Sequence, residues 1–103
     1  MEVRVNRNGH SACLEISGKI NESGAKILDN RYREMGGNAD LKELVLDFKN
    51  VSEISRSGIG QLIIIYKEIA VSGGVVRIES ASEEIHNLLT GLDFEKIMEI
   101  SKK

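Results

Sequence analysis

Strand-like and helix-like segments take turns along this sequence, and that alternation limits the fold more than any other feature. Val3 and Val5 alternate with charged residues. Asn8-Gly9 follows, a two-residue hairpin signal because both residue types tolerate positive φ. Ala12, Leu14 and Ile16 alternate again, with Cys13 and Glu15 on the other face. Two antiparallel strands are predicted. Gly18-Lys19-Ile20-Asn21 turns the chain, Asn21 is a good helix cap, and Glu22 adds negative charge to the first turn. Ala25, Leu28, Tyr32 and Met35 then recur at helical spacing until Gly36-Gly37 stops them.

The second half repeats the pattern. Leu44–Phe48 is a nearly continuous apolar run, as in a strand covered on both faces. A short connection, Lys49–Arg56, carries Val51 and Ile54, which are expected to pack inward. Ile63-Ile64-Ile65 looks like strand by β-branching. However, Ile59, Leu62, Ile63, Tyr66, Ile69 and Ala70 keep helical spacing over a longer window, and length decides for helix. Val75–Ile78 is a further strand. Ser80 or Ser82 caps a third helix, and Ser80 with Glu83 fits a capping box. Ile85, Leu88 and Leu89 form the buried face of that helix and Gly91 ends it. Ile97–Ile100 reads as a last short strand, and Ser101-Lys102-Lys103 as a frayed tail. Leu46, Ile63 and Leu88 are expected in the core.

The order β-β-α-β-α-β-α-β predicts one α/β domain over residues 1–103. It would hold a mixed sheet of four or five strands with helices near 22–35, 57–72 and 82–90. A chain of 103 residues can bury a core without staples. Cys13 is the only cysteine, which excludes an intrachain disulfide and fits a reducing compartment. The charged opening Met1–Arg4 does not read as a signal peptide. The longest apolar stretch, Leu62–Tyr66, is too short for a bilayer. A cytoplasmic protein without membrane insertion is expected.

Several chemistries have no support. The 14 basic and 16 acidic residues are interspersed, so no stripe for nucleic acid forms. His10 and His86 lack partners at metal-ligand spacing, so no metal site is expected. Cys13 has no neighbour that would mark it as a nucleophile and reads as a half-buried strand residue. Gly58-Ile59-Gly60 lacks both the third glycine of a dinucleotide loop, since Ile63 stands there, and the Walker lysine. Ser57 is not in a nucleophile elbow, because Ser55 occupies the leading glycine position. No catalytic residue and no cofactor are predicted. A small enzyme or nucleotide binder using Ser57–Gly60 is the reading from a different class.

The stretch Leu44–Ile69, LVLDFKNVSEISRSGIGQLIIIYKEI, is the informative one. An apolar strand leads through a short loop with two buried anchors into Ser-x-Ser-Gly and an apolar helix. This resembles the STAS family of anti-sigma factor antagonists, whose hallmark is a strand, a loop and Asp-Ser-Ser-Gly entering a helix. The resemblance implies a STAS-like fold and a protein-binding regulatory switch. Ser57 corresponds to the serine phosphorylated by the partner anti-sigma kinase, with Ser55 as the alternative site, and Gly58 matches the motif glycine. The family's acidic residue corresponds to Ser55 and its first serine to Arg56. A second family acid corresponds to Asn21, so both carboxylates are absent here. Asn21, Ser55, Arg56, Ser57 and Gly58 are thus the implied partner-binding residues. The implied partner is an anti-sigma factor with serine kinase activity of the GHKL type, which would hold the nucleotide. The missing carboxylates favour a second reading, a non-phosphorylated STAS adaptor for a transporter or another regulatory partner. Homodimer formation stays open.

The switch has a physical basis apart from the family. A helix N-terminus presents unpaired N–H groups and partial positive charge. Serine there is first of all a cap. Phosphate would add about −1.5 to −2 charges and three acceptor oxygens. The helix end and Arg56 tolerate that charge, but a partner surface packed on Ser57 does not. Gly58 is expected to leave the hydroxyl uncrowded.

Overall fold

The computed structural model describes residues 1–37 and 40–103. Strand β1 (Glu2–Asn8) folds back on β2 (Ser11–Ile20) as an antiparallel hairpin. The turn is Gly9-His10 and not Asn8-Gly9: Asn8 still pairs with Ser11, and Gly9, at a φ of 64°, supplies the left-handed residue. Helix α1 (Glu22–Glu34), β3 (Glu43–Ile54), α2 (Arg56–Val71), β4 (Val75–Ala81), α3 (Glu83–Gly91) and β5 (Glu99–Lys102) follow. A single 3-10 turn, Phe94–Lys96, precedes β5. The sheet order is β1-β2-β3-β4-β5, and every neighbouring pair after the hairpin is parallel. The architecture is the α/β one expected, and Leu62–Ile65 lies inside α2.

Alternation explains the two faces of the sheet. Ala12, Leu14 and Ile16 of β2, Leu44, Leu46 and Phe48 of β3, and Val76 and Ile78 of β4 are all buried. They pack with Leu28 and Tyr32 of α1, Leu62, Ile65 and Ile69 of α2, and Ile85 and Leu89 of α3 in one core. The intervening residues include Cys13 and Val45 but are otherwise charged. Arg4, Glu15, Asp47 and Glu79 stand in register across four strands on the other face. Cys13 is half-buried on that face, where burial and the nearby Asp47, Glu15 and Glu79 carboxylates push its thiol pKa up. Its thiolate is therefore disfavoured.

Five further local expectations are corrected. Strand β3 does not stop at Phe48 but runs to Ile54, pairing with Ser17–Ile20 through two register shifts. Those shifts break the period-two pattern, so Val51 and Ile54 are buried three residues apart. Ser80 is not a cap: its φ of 59° lies within β4, and Ser82 caps α3 by accepting from the Ile85 N–H at 3.2 Å. The last strand starts two residues late, at Glu99. The tail is not frayed, because Lys102 pairs with Ala81 and the Lys103 N–H donates to the Ala81 carbonyl at 2.9 Å. Leu46 is buried as expected, but Ile63 is half-buried and Leu88 is 42% exposed. Helix α3 is only nine residues long, and Ile85 and Leu89 alone turn directly onto the sheet.

Candidate docking site

Strands β2, β3 and β4 run parallel, so the helices that follow them all begin at the same end of the sheet. Ile20 and Ile54 are register partners, and the Ser55 N–H donates to the Ile20 carbonyl at 2.9 Å. The starts of α1 and α2 therefore sit side by side.

Asn21 caps α1. Its Oδ1 accepts from the Gly24 N–H at 2.9 Å and from the Ser23 hydroxyl at 3.0 Å. Ser55, not Ser57, caps α2. Its Oγ accepts from the Gly58 N–H at 3.4 Å and donates to the Ile20 carbonyl at 3.2 Å. The ordinary reason for a serine at a helix start is thereby met by Ser55. Ser57 is the second residue of α2, exposed, and its hydroxyl makes no hydrogen bond among the described residues. Arg56 beside it is also exposed.

Gly58 is required by close packing of the helix on the sheet, the ordinary reason for a glycine at this strand-to-helix junction. It is buried, and a Cβ there would lie 2.5 Å from the Ile20 carbonyl oxygen and 2.7 Å from Ile54 Cγ1. The glycine lets α2 press its first turn onto the end of β2. Gly24 does the same for α1 against the Lys19 carbonyl. Gly60 has nothing within 4 Å, so close packing does not require it.

Ser57 opens onto a groove of about 260 Å³ between α1 and α2. Glu22, Lys26, Asp29 and Gln61 line it with Ser57. The Gln61 amide donates to Asp29 at 2.9 Å, and Gln61 is itself only 8% exposed. Carboxylates are thus absent at Asn21 and Ser55 but present beside them, from Glu22 and Asp29. Sequence reasoning missed Glu22, Lys26 and Asp29 as site residues. Their signal was the helical spacing of 22, 26 and 29, which puts them on one flank of α1.

The far ends of the two helices are clamped. Arg33 makes two bonds of 2.7 Å to the Glu68 carboxylate. The buried Tyr32 hydroxyl donates to the same group at 3.2 Å. Hydrogen bonding from Arg33 holds the Glu68 carboxyl below the usual carboxylate range, against the opposing effect of burial. Burial and the Glu68 charge push the Tyr32 hydroxyl up.

The model of the STAS domain matches residues 2–103. The chain belongs to the STAS domain family. Its fold is close to that of a candidate anti-sigma factor antagonist from Thermotoga maritima, with 19% identity and a TM-score of 0.87 over 98% of this chain and 86% of that one. It is also close to the anti-sigma factor antagonist SpoIIAA in its unphosphorylated form. There the identity is 10% and the TM-score 0.78, over 99% of this chain and 89% of that one. The phosphorylated form of SpoIIAA, a Bacillus cell fate determinant, gives 10% and 0.76 over 99% and 93%. At these identities the likeness establishes the fold. Among the described residues of this STAS domain, no His, Cys, Asp and Glu side chains gather into a metal-binding group. Among the described residues, no helix is long and apolar enough to cross a membrane.

Proposed function

We propose that this STAS domain is an anti-sigma factor antagonist that docks through the start of α2 and is switched by phosphate on Ser57. The observation that carries the reading is the division of labour between two serines. Ser55 uses its hydroxyl to cap α2 and hold Ile20, whereas Ser57 leaves its hydroxyl exposed and unbonded. Ser57 is therefore the better acceptor of phosphate, and Ser55 the poorer. Arg56 and Lys26 supply positive charge near a phosphate there, and the α2 N-terminus adds its own. An anti-sigma factor lying on Ser57, Arg56 and Asn21 would meet about two new negative charges with no change in the domain's fold. The partner would be a kinase of the GHKL type that brings its own nucleotide. This chain then acts in the cytoplasm by binding and catalyses nothing.

A constitutive adaptor role is the second reading. It is favoured by Asn21 and Ser55, which are uncharged and both committed to capping. The two readings separate in a calorimetric titration of Ser57→Asp and Ser57→Ala against the anti-sigma factor. The switch predicts that Ser57→Asp binds roughly tenfold or more weakly, about 1.4 kcal/mol per tenfold. Ser57→Ala should bind nearly as the parent does. Equal affinities for both variants would select the adaptor.

A further inference from the structure

Leu88 was expected in the core, yet it stands at the mouth of a slot. The slot, about 210 Å³, lies between the end of β3 and α3 and is lined by Ser52, Glu53, Ile54, Glu84, Ile85 and Leu88. It shares no residue with the groove at Ser57. Ile54 and Ile85 form a buried floor, at 9% and 3% exposed, while Leu88 is 42% exposed. Leu92, one turn on, extends the apolar edge outward at 48%.

The same slot holds two exposed carboxylates and no cation. Glu84 is in the first turn of α3, at the positive end of the helix dipole. Glu53 stands opposite Lys19 in the β2–β3 register. Among the described residues, neither Glu53 nor Glu84 has an ion pair or a side-chain hydrogen bond.

These features narrow the occupant. A purely apolar anchor would cover Ile54 and Leu88 but strip water from two carboxylates without replacing it. An acidic anchor would be repelled. A long basic side chain satisfies both demands, because its stem is apolar and its head is charged. We propose that the slot receives an arginine or lysine side chain from a protein partner. The stem lies on Ile54, Ile85 and Leu88, and the head meets Glu53 and Glu84. Arginine fits better, since its planar fork can bond two carboxylates at once. Ile54 directly precedes the cap of α2, so a partner seated at that helix start can reach the slot as a second anchor.

Two acetylated pentapeptide amides, Ala-Leu-Arg-Leu-Ala and the same peptide with neutral citrulline for arginine, test this without any natural partner. Each is titrated into the ¹⁵N-labelled full chain and followed by amide shifts in two-dimensional NMR. The arginine peptide should move the amides of Ser52–Ile54 and Glu84–Leu88 saturably. It should bind about fivefold more tightly than the citrulline peptide, the size expected of an exposed ion pair. The double variant Glu53→Gln, Glu84→Gln should bind both peptides alike, with its remaining spectrum unchanged. Ser57→Asp should bind the arginine peptide as the parent does, so this result does not depend on the switch. Equal affinity of the parent for both peptides, or no saturable shift in these two segments, would overturn the proposal.

Discussion

Helices α1 and α2 open with the same four steps: a capping residue, a charged residue, a serine and a glycine. The first is Asn21-Glu22-Ser23-Gly24 and the second Ser55-Arg56-Ser57-Gly58. Both glycines press on the end of β2, Gly24 on the Lys19 carbonyl and Gly58 on that of Ile20. The difference lies in the serines. Asn21 holds the Ser23 hydroxyl at 3.0 Å, while Ser55 spends its hydroxyl on Ile20 and leaves Ser57 unbonded. Both serines are exposed, but one start engages its hydroxyl and the other leaves it unbonded among the described residues. The charges differ as well, since Glu22 would repel a phosphate and Arg56 would attract one. Identical local geometry thus yields one structural joint and one surface fit for regulation.

The shared part of the comparison should break first at the glycines. Gly24→Ala and Gly58→Ala each force a Cβ into a backbone carbonyl. Each should cost roughly 1–3 kcal/mol in chemical denaturation. Gly60→Ala in the same helix as Gly58 meets nothing and should stabilise by up to about 1 kcal/mol. A stabilising Gly58→Ala would show that the close approach is not real.

The caps come next. Asn21→Ala and Ser55→Ala should each cost about 1 kcal/mol. Ser55→Ala should cost the more, because it also removes one of the two bonds to the Ile20 carbonyl, leaving only that from the Ser55 N–H. Equal losses in denaturation would mean that the bond from Ser55 to Ile20 contributes little.

The smallest effect is expected at the opposite ends of the helices. Glu68 has its pKa lowered in the folded state. Its contribution is therefore complete above the unfolded carboxylate range, near 4.3, and is lost as pH falls through the folded value. Arg33 is 47% exposed on its side chain, so the clamp is worth at most about 1 kcal/mol. Glu68→Gln should flatten the acid limb of a stability profile and change little at neutral pH. An unchanged acid limb would remove the clamp from the account.

Much of this was legible beforehand. Strand alternation, helical spacing and the glycine stops marked the five strands and three helices, because each rests on a local property of the backbone; the hairpin turn fell one residue later than Asn8-Gly9, and the 3-10 turn at Phe94–Lys96 was not marked. The length of α2 outweighed the β-branching of Ile63–Ile65 for the same reason. The cap of α2 was not legible. Two serines two residues apart both suit the position, and only the Ile20 carbonyl decides for Ser55. Nor could periodicity show that α3 is packed on one side alone, leaving Leu88 exposed. The groove residues Glu22, Lys26 and Asp29 were visible as a flank, but their meeting with Ser57 depends on how α1 and α2 lie together.

Ser57, and not its counterpart Ser23 or its neighbour Ser55, is the residue proposed to carry phosphate. Mass-spectrometric mapping of phosphate on the chain recovered from its own host tests this most directly. The account predicts phosphate on Ser57 in a fraction that changes with growth conditions, and none on Ser23 or Ser55. Phosphate on Ser23 or Ser55 in its place, or a Ser57 that stays unmodified through every growth phase, would contradict it.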